Sequence, residues 1–201
     1  MRKFLFIITA ILAILLGAYP LMYAFVDHQY TFLNSKPPNV LKDLFWKSAF
    51  YFHVVFGGLS LFIGWMQFGP RFRKRHIKLH RSIGMFYALS VFISSLSGIY
   101  IALYANGGII PVLGFILLGL IWFVSTIMAY VEIVRGHTMA HKRFMTYSYA
   151  CTFAAVTLRL WLPLLVMLIN DAELSYRIVA WLCWVPNLFL AYSINKYGRL
   201  T

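Results

Sequence analysis

Apolar residues run along this chain in long blocks separated by short polar stretches, and six of the blocks are long enough to cross a membrane. They cover approximately residues 4 to 26, 47 to 69, 82 to 104, 109 to 131, 144 to 169 and 175 to 195. A helix needs about 20 residues to span the roughly 30 Å hydrocarbon layer. Lipid cannot satisfy exposed backbone N–H and C=O groups, so blocks of this length predict helices packed in a bundle rather than open strands. The expectation is an all-α integral membrane protein of about six transmembrane helices, one domain over residues 1–201.

The gaps between the blocks predict how the helices are joined. The longest, residues 27–46, contains the turn Lys36-Pro37-Pro38-Asn39 and then Val40 to Trp46, which reads as an interfacial helix on the outer face. Asn106-Gly107-Gly108 predicts a tight turn between the third and fourth helices, and Arg135-Gly136 a break after the fourth. The first block follows Arg2 and Lys3 and exceeds the apolar core of a signal peptide, which makes it an uncleaved anchor. No low-complexity tract or internal repeat stands out.

Composition agrees with this class: 62% of residues are hydrophobic and only 11% charged. A formal charge of +13 would fit a nucleic-acid binder, but the cations sort by loop instead. Arg2, Lys3, the block from Arg71 to Arg81, Arg135, Lys142, Arg143, Lys196 and Arg199 fall on one side, against Lys36, Lys42, Lys47 and Arg177 on the other. Both termini are therefore expected in the cytoplasm, with the basic loops against anionic headgroups. Nucleic acid is not an expected partner. Cys151 and Cys183 both fall inside predicted spans and outline neither a disulfide framework nor an iron–sulfur motif.

The chain's chemistry is concentrated in three of the blocks. Placed at helical spacing, one face of the second reads His53, Gly57, Ser60, Gly64, Gln67, and one face of the third His76, His80, Gly84, Tyr87, Ser94, Gly98. The fifth reads His141, Met145, Ser148, Thr152, Ala155, Arg159. Small residues let membrane helices approach closely, which accounts for the Gly, Ser and Ala members. Ionisable groups in hydrocarbon are costly and need partners, yet no span holds a carboxylate to pair with Arg159. Depth separates the polar positions into two floors: His53 with Arg159 towards the outer face, and Gln67, His80 and His141 near the inner one.

On the inner floor the pairs His76/His80 and His137/His141 are spaced i, i+4 and, if helical, could share a zinc or copper ion, with Glu132 as a further ligand. The segment His137-Thr138-Met139-Ala140-His141 lacks the glutamate of a zinc-hydrolase helix. His80 and His141, on different helices at the mouths of the seams, also suit the two axial positions of a b-type haem. In that reading Gly84 lets a flat macrocycle approach the backbone, and Arg81 with its basic neighbours neutralises propionates.

Several of these residues recur together in a known pattern. His53 with Gly58, Gly64 with Gln67-Phe68, His80-Arg81 followed by Gly84 and Tyr87, His141 followed by Met145, and Ala154-Ala155-Val156-Thr157-Leu158-Arg159 resemble a family of bacterial multi-pass proteins known only as predicted membrane proteins of unknown function. The likeness covers about residues 50 to 165. It implies a helical bundle in the bacterial cytoplasmic membrane but carries no established reaction. The family pattern has Trp and Arg where this chain has Phe144 and Tyr147.

Three readings remain open at this point. One is a haem protein for electron transfer in the membrane, with His80 and His141 as axial ligands and His53 and Arg159 forming a second site for a quinone or a propionate. Another is a non-enzymatic accessory or assembly subunit of a larger membrane complex, which needs no cofactor. The third is a transporter for a small anion or metal, with Arg159 and His53 holding the solute.

Overall fold

Helix boundaries in the computed structural model, which describes residues 2–27 and 32–198, follow the breakers in the sequence more closely than its hydropathy. After α1 (Arg2–Gly17) comes a 3-10 turn at Tyr19–Leu21 and a short α2 (Met22–Phe25). α3 (Pro38–Lys42) leads into α4 (Leu44–Gly64), which tightens into a 3-10 turn at Trp65–Phe68. The short α5 (Pro70–Arg75) is followed by α6 (Ile77–Ala102) and α7 (Ile109–Val134). Two broken pairs close the chain: α8 (Thr138–Thr152) with α9 (Ala154–Ile169), and α10 (Ala172–Leu182) with α11 (Val185–Tyr197).

Five segments are long and apolar enough to span a bilayer: Leu44–Phe68, Ile77–Ala102, Ile109–Val134, Thr138–Ile169 and Ala172–Tyr197. The first block is shorter as a helix than its hydropathy implies. Pro20, which has no N–H, falls in a 3-10 turn that splits it. The chain there lies against α4, where a Cβ on Gly58 would meet Pro20 at 2.5 Å and the Gly17 carbonyl at 2.8 Å.

The expected interfacial helix over Val40 to Trp46 is also divided. Asp43 takes an extended conformation and its side chain accepts a hydrogen bond from the Phe45 N–H at 2.9 Å, so it caps α4 instead of continuing α3. Trp46 consequently belongs to α4, where it is buried and stacks on Phe50 with Leu33 and Val40 over them. Residues 28–31 of this loop, and Arg199, lie outside the described residues.

The turn at Asn106-Gly107-Gly108 forms as expected, with φ of 85° at Gly107 and 82° at Gly108. Lys36 secures the loop to it, donating to the Tyr104 carbonyl at 2.5 Å and to Asn106 Oδ1 at 3.0 Å. Burial pushes the Lys36 ammonium from 10.5 down to about 8. Since the folded value lies below the unfolded one, the unfolded chain holds the extra proton between about pH 8 and 10.5, and this group's contribution to stability rises with pH across that window. Melts of wild type and Lys36→Met should show wild type gaining on the variant as pH rises through that range. A gap that stays constant contradicts the assignment.

Four helices set the frame for the polar seams. α6 packs on α4 and on α7, while α8 packs on α7 and on α4, closing a ring in which α6 and α8 stand at opposite corners. These two meet through side chains: Tyr87 on α6 contacts Ser148 Oγ at 2.7 Å and Thr152 Oγ1 at 2.8 Å on α8. α7 joins the same network, with Trp122 Nε1 donating to Thr152 Oγ1 at 2.9 Å and Thr126 Oγ1 lying 2.6 Å from Ser148 Oγ. In lipid, where apolar burial does not drive helices together, such hydrogen bonds and close packing set the register.

The breaks at Phe153 and Cys183 face each other and satisfy each other's backbone. Asn187 donates to the carbonyls of Cys183 (2.9 Å) and Ala150 (3.3 Å), and the Thr157 hydroxyl donates to the Cys183 carbonyl. Pro186 explains the second break, because it has no N–H to offer the preceding turn.

Candidate functional site

The level beneath the Tyr87 network, at the end carrying Arg71 to Arg81, holds the inner-floor residues. His141 enters α8 one turn from its start, and its Nδ1–H donates to the Ala129 carbonyl on α7 at 2.8 Å. This bond fixes the ring and leaves Nε2 as its free, basic nitrogen, the arrangement that prepares an imidazole for a metal. On the opposite corner, His80 lies in the first turn of α6. Its Nδ1 is sealed from solvent with no hydrogen-bond partner, and the charges of Arg73 and Arg81 act on the ring.

Gln67, on the 3-10 turn after α4, reaches the same region. A Cβ on Gly84 would lie 3.5 Å from Gln67 Oε1, so the amide covers the glycine that was expected to face a macrocycle. The Gln67 Nε2 is likewise sealed and unpartnered, as are Tyr149 Oη and Trp65 Nε1. Tyr149 packs on Gly64 and its ring centroid lies 5.1 Å from that of Phe68, next in sequence to Gln67. Buried polar groups are normally satisfied. His80 Nδ1 on α6 and Gln67 Nε2 on the 3-10 turn, which lies against Gly84 of α6, leave this end of the bundle with unspent hydrogen-bonding capacity.

The expected four-imidazole site is not assembled among the described residues, where no three His, Cys, Asp or Glu converge as metal ligands. His76 and His137 are exposed caps at the starts of α6 and α8 and do not continue the helical faces of His80 and His141. The His137 Nδ1–H is held by Glu132 Oε2 at 2.8 Å, and the His76 ring lies 5.9 Å from that of Phe72. Arg81 is exposed at the same end.

The outer floor is built differently. The His53 ring lies across Gly98, where a Cβ would come within 2.7 Å of Nδ1. Its Nδ1–H donates to the Ser94 carbonyl at 2.9 Å, while Ser94 Oγ donates back to the His53 carbonyl at 2.9 Å. With Nδ1–H given to that carbonyl, Nε2 is the ring nitrogen left for another partner. Arg159 donates from Nη1 to the Ala155 carbonyl one turn earlier, at 2.8 Å, and its guanidinium stacks over the Tyr19 ring at 4.1 Å. The arginine's charge acts on both His53 and Tyr23.

Tyr19 and Tyr23 escaped the sequence reading, which took the first block for an anchor. Their i, i+4 spacing around Pro20, in an otherwise aliphatic stretch, was the available signal. Trp122 and Thr126 were also missed, since α7 is apolar enough that its few hydrogen-bonding residues do not outline a seam. Two open apolar grooves, about 650 Å³ at Trp181 and Pro186 and about 270 Å³ at Phe92 and Phe123, include none of the histidines and not Arg159. They lie on outward faces of the helices and are secondary to the polar floors.

In comparison with known proteins, a family model described as Predicted membrane protein (DUF2306) fits residues 50–194, from within α4 through most of α11. No curated protein and no solved structure matches the chain. With the four-helix ring, both histidines of the inner floor, His53 and Arg159 all inside the matched segment, the chain belongs to this family of predicted membrane proteins.

Proposed function

We propose that the protein is a membrane redox protein that holds a b-type haem at its basic end, with His80 and His141 as the axial ligands. The observation that carries this reading is the pairing of His141, whose ring is oriented by the Ala129 carbonyl, with a His80 whose sealed Nδ1 has no partner, on opposite corners of a four-helix ring. Two imidazoles from diagonal helices are a sufficient donor set for such a group. The fit is good in donors and charge: Arg73 and Arg81 place cations beside His80, where carboxylates would need them, and the Gln67 amide has a hydrogen bond to give. Gln67 against Gly84 means that this edge of the site is lined by an amide and not by bare backbone.

A haem bound there supplies one-electron chemistry; this chain supplies ligation, orientation and charge. Ala129 holds the His141 tautomer. The apolar helices keep water from the ring of four, and the Tyr87–Ser148–Thr152 network fixes the spacing of α6 and α8 above the histidines. The test is the haem and iron content of protein purified from haem-sufficient cells. About one haem per chain is expected; protein with neither haem nor iron contradicts the proposal.

A further inference from the structure

The outer floor contains a cation, Arg159, with no counter-charge among the described residues. Among the described residues the ion pairs are Arg135 and His137 with Glu132, and Arg177 with Glu173, all near helix ends. Arg159 has a carbonyl and a tyrosine face instead, which leaves most of its five N–H donors for something else. The Tyr23 ring meets Tyr19 and, on α4, Phe50 and Tyr51, which ties Arg159 to the turn that carries His53; the His53 ring is held by Ser94 through Nδ1, and its Nε2 has no partner among the described residues. Arg159 and His53 are each partly exposed. Donor and acceptor are contributed by different helices, α9 and α4, with Tyr19 and Tyr23 forming an aromatic wall in which their rings meet edge-on at 5.8 Å.

Depth restricts what can reach this pair. His53 lies nine residues into α4 and Arg159 ten residues from the end of α9, both counted from the end opposite the basic cluster. At 1.5 Å per residue each sits about 14–15 Å along its helix, in the outer half of its span and below the headgroup level. A phospholipid headgroup remains at the interface, and a hydrated anion would have to shed its water. The occupant that fits is itself soluble in hydrocarbon and carries a compact head that both accepts and donates hydrogen bonds.

We propose that Arg159, His53, Tyr19 and Tyr23 form a binding site for a membrane quinone. The form bound is the quinol: Arg159 donates to one ring oxygen, His53 Nε2 accepts from the other hydroxyl, and the tyrosines cover the ring. A fatty-acid carboxylate would satisfy Arg159 but carries no donor for His53 Nε2. This site is separate from the His80–His141 pair, and its test does not depend on haem.

The experiment is titration of the full chain in nanodiscs, under reducing conditions, with a benzoquinol (decylubiquinol) and a naphthoquinol (menaquinol-4), followed by tryptophan fluorescence. Saturable binding of at least one is expected, weakened about tenfold or more in Arg159→Gln and severalfold in His53→Gln, and unchanged in Arg143→Gln at the basic end, with melts confirming that each variant is folded. Should Arg159→Gln fail to fold, Arg159→Lys and His53→Gln carry the comparison, since Lys keeps the charge but loses the fork. Absence of saturable binding, equal affinity in wild type and the folded site variants, or variant-sensitive binding of oleate with both quinols inert would each overturn the assignment.

Discussion

If the proposed haem is held as argued, a His141→Ala protein is expected to emerge from haem-sufficient cells without a chromophore, and His80→Ala likewise, while His137→Ala stays coloured. The difference lies in what each ring does. His141 sits inside α8 with Nδ1–H given to the Ala129 carbonyl, so Nε2 is available to an iron. His137 caps the same helix at the surface and gives its Nδ1–H to Glu132. Spectra of the purified variants check this, with a control: free imidazole added to His141→Ala during haem loading should restore part of the absorbance, because the deletion leaves a ligand-sized gap. An intact Soret band in His141→Ala would show that the ligand set is wrong.

Gly64→Leu is expected to prevent a stable fold, and Gly64→Ala to lower stability by about 1–3 kcal/mol, the range for forcing extra carbon into a packed core. Gly64 lies where α4, α6 and α8 converge. A Cβ there would stand 2.7 Å from Tyr149 Cε2 and 2.8 Å from Tyr87 Cε2. Neither ring can withdraw easily: Tyr87 is fully buried and tied to Ser148 and Thr152, and Tyr149 is buried beneath Phe68. Leucine would add three more carbons to that crowding. Thermal melts in detergent provide the measurement, and a Gly64→Ala protein that melts with wild type would show that the three helices are less tightly joined there.

Hydropathy alone located the five long spans, because lipid demands long apolar helices whatever their sequence. It could not show where the helices bend. No glycine or proline marks the break at Phe153; it depends on Asn187 and Thr157 meeting carbonyls across the bundle, a tertiary arrangement. Pro20 was visible, but its effect on the first block depended on how closely Gly17 and Gly58 approach. The polar faces of α4, α6 and α8 were legible because their residues recur at helical spacing, and Ser60, Gln67, Tyr87, Ser94, Ser148 and Thr152 are all buried. Histidine spacing was a poorer guide. The i, i+4 pairs assumed helices that begin one residue too late to include His76 and His137. Tyr19 came to Arg159 from a part of the chain that spacing within the other blocks could not reach.

The most direct test of the central claim is the low-temperature electron paramagnetic resonance spectrum of the oxidised, purified wild-type protein. Two imidazoles on one ferric haem produce a low-spin signal, which is the expected result, and His80→Ala should convert any retained haem to high spin. A high-spin signal in wild type, or no haem iron signal from protein made with adequate haem, would contradict the assignment of His80 and His141 as a ligand pair.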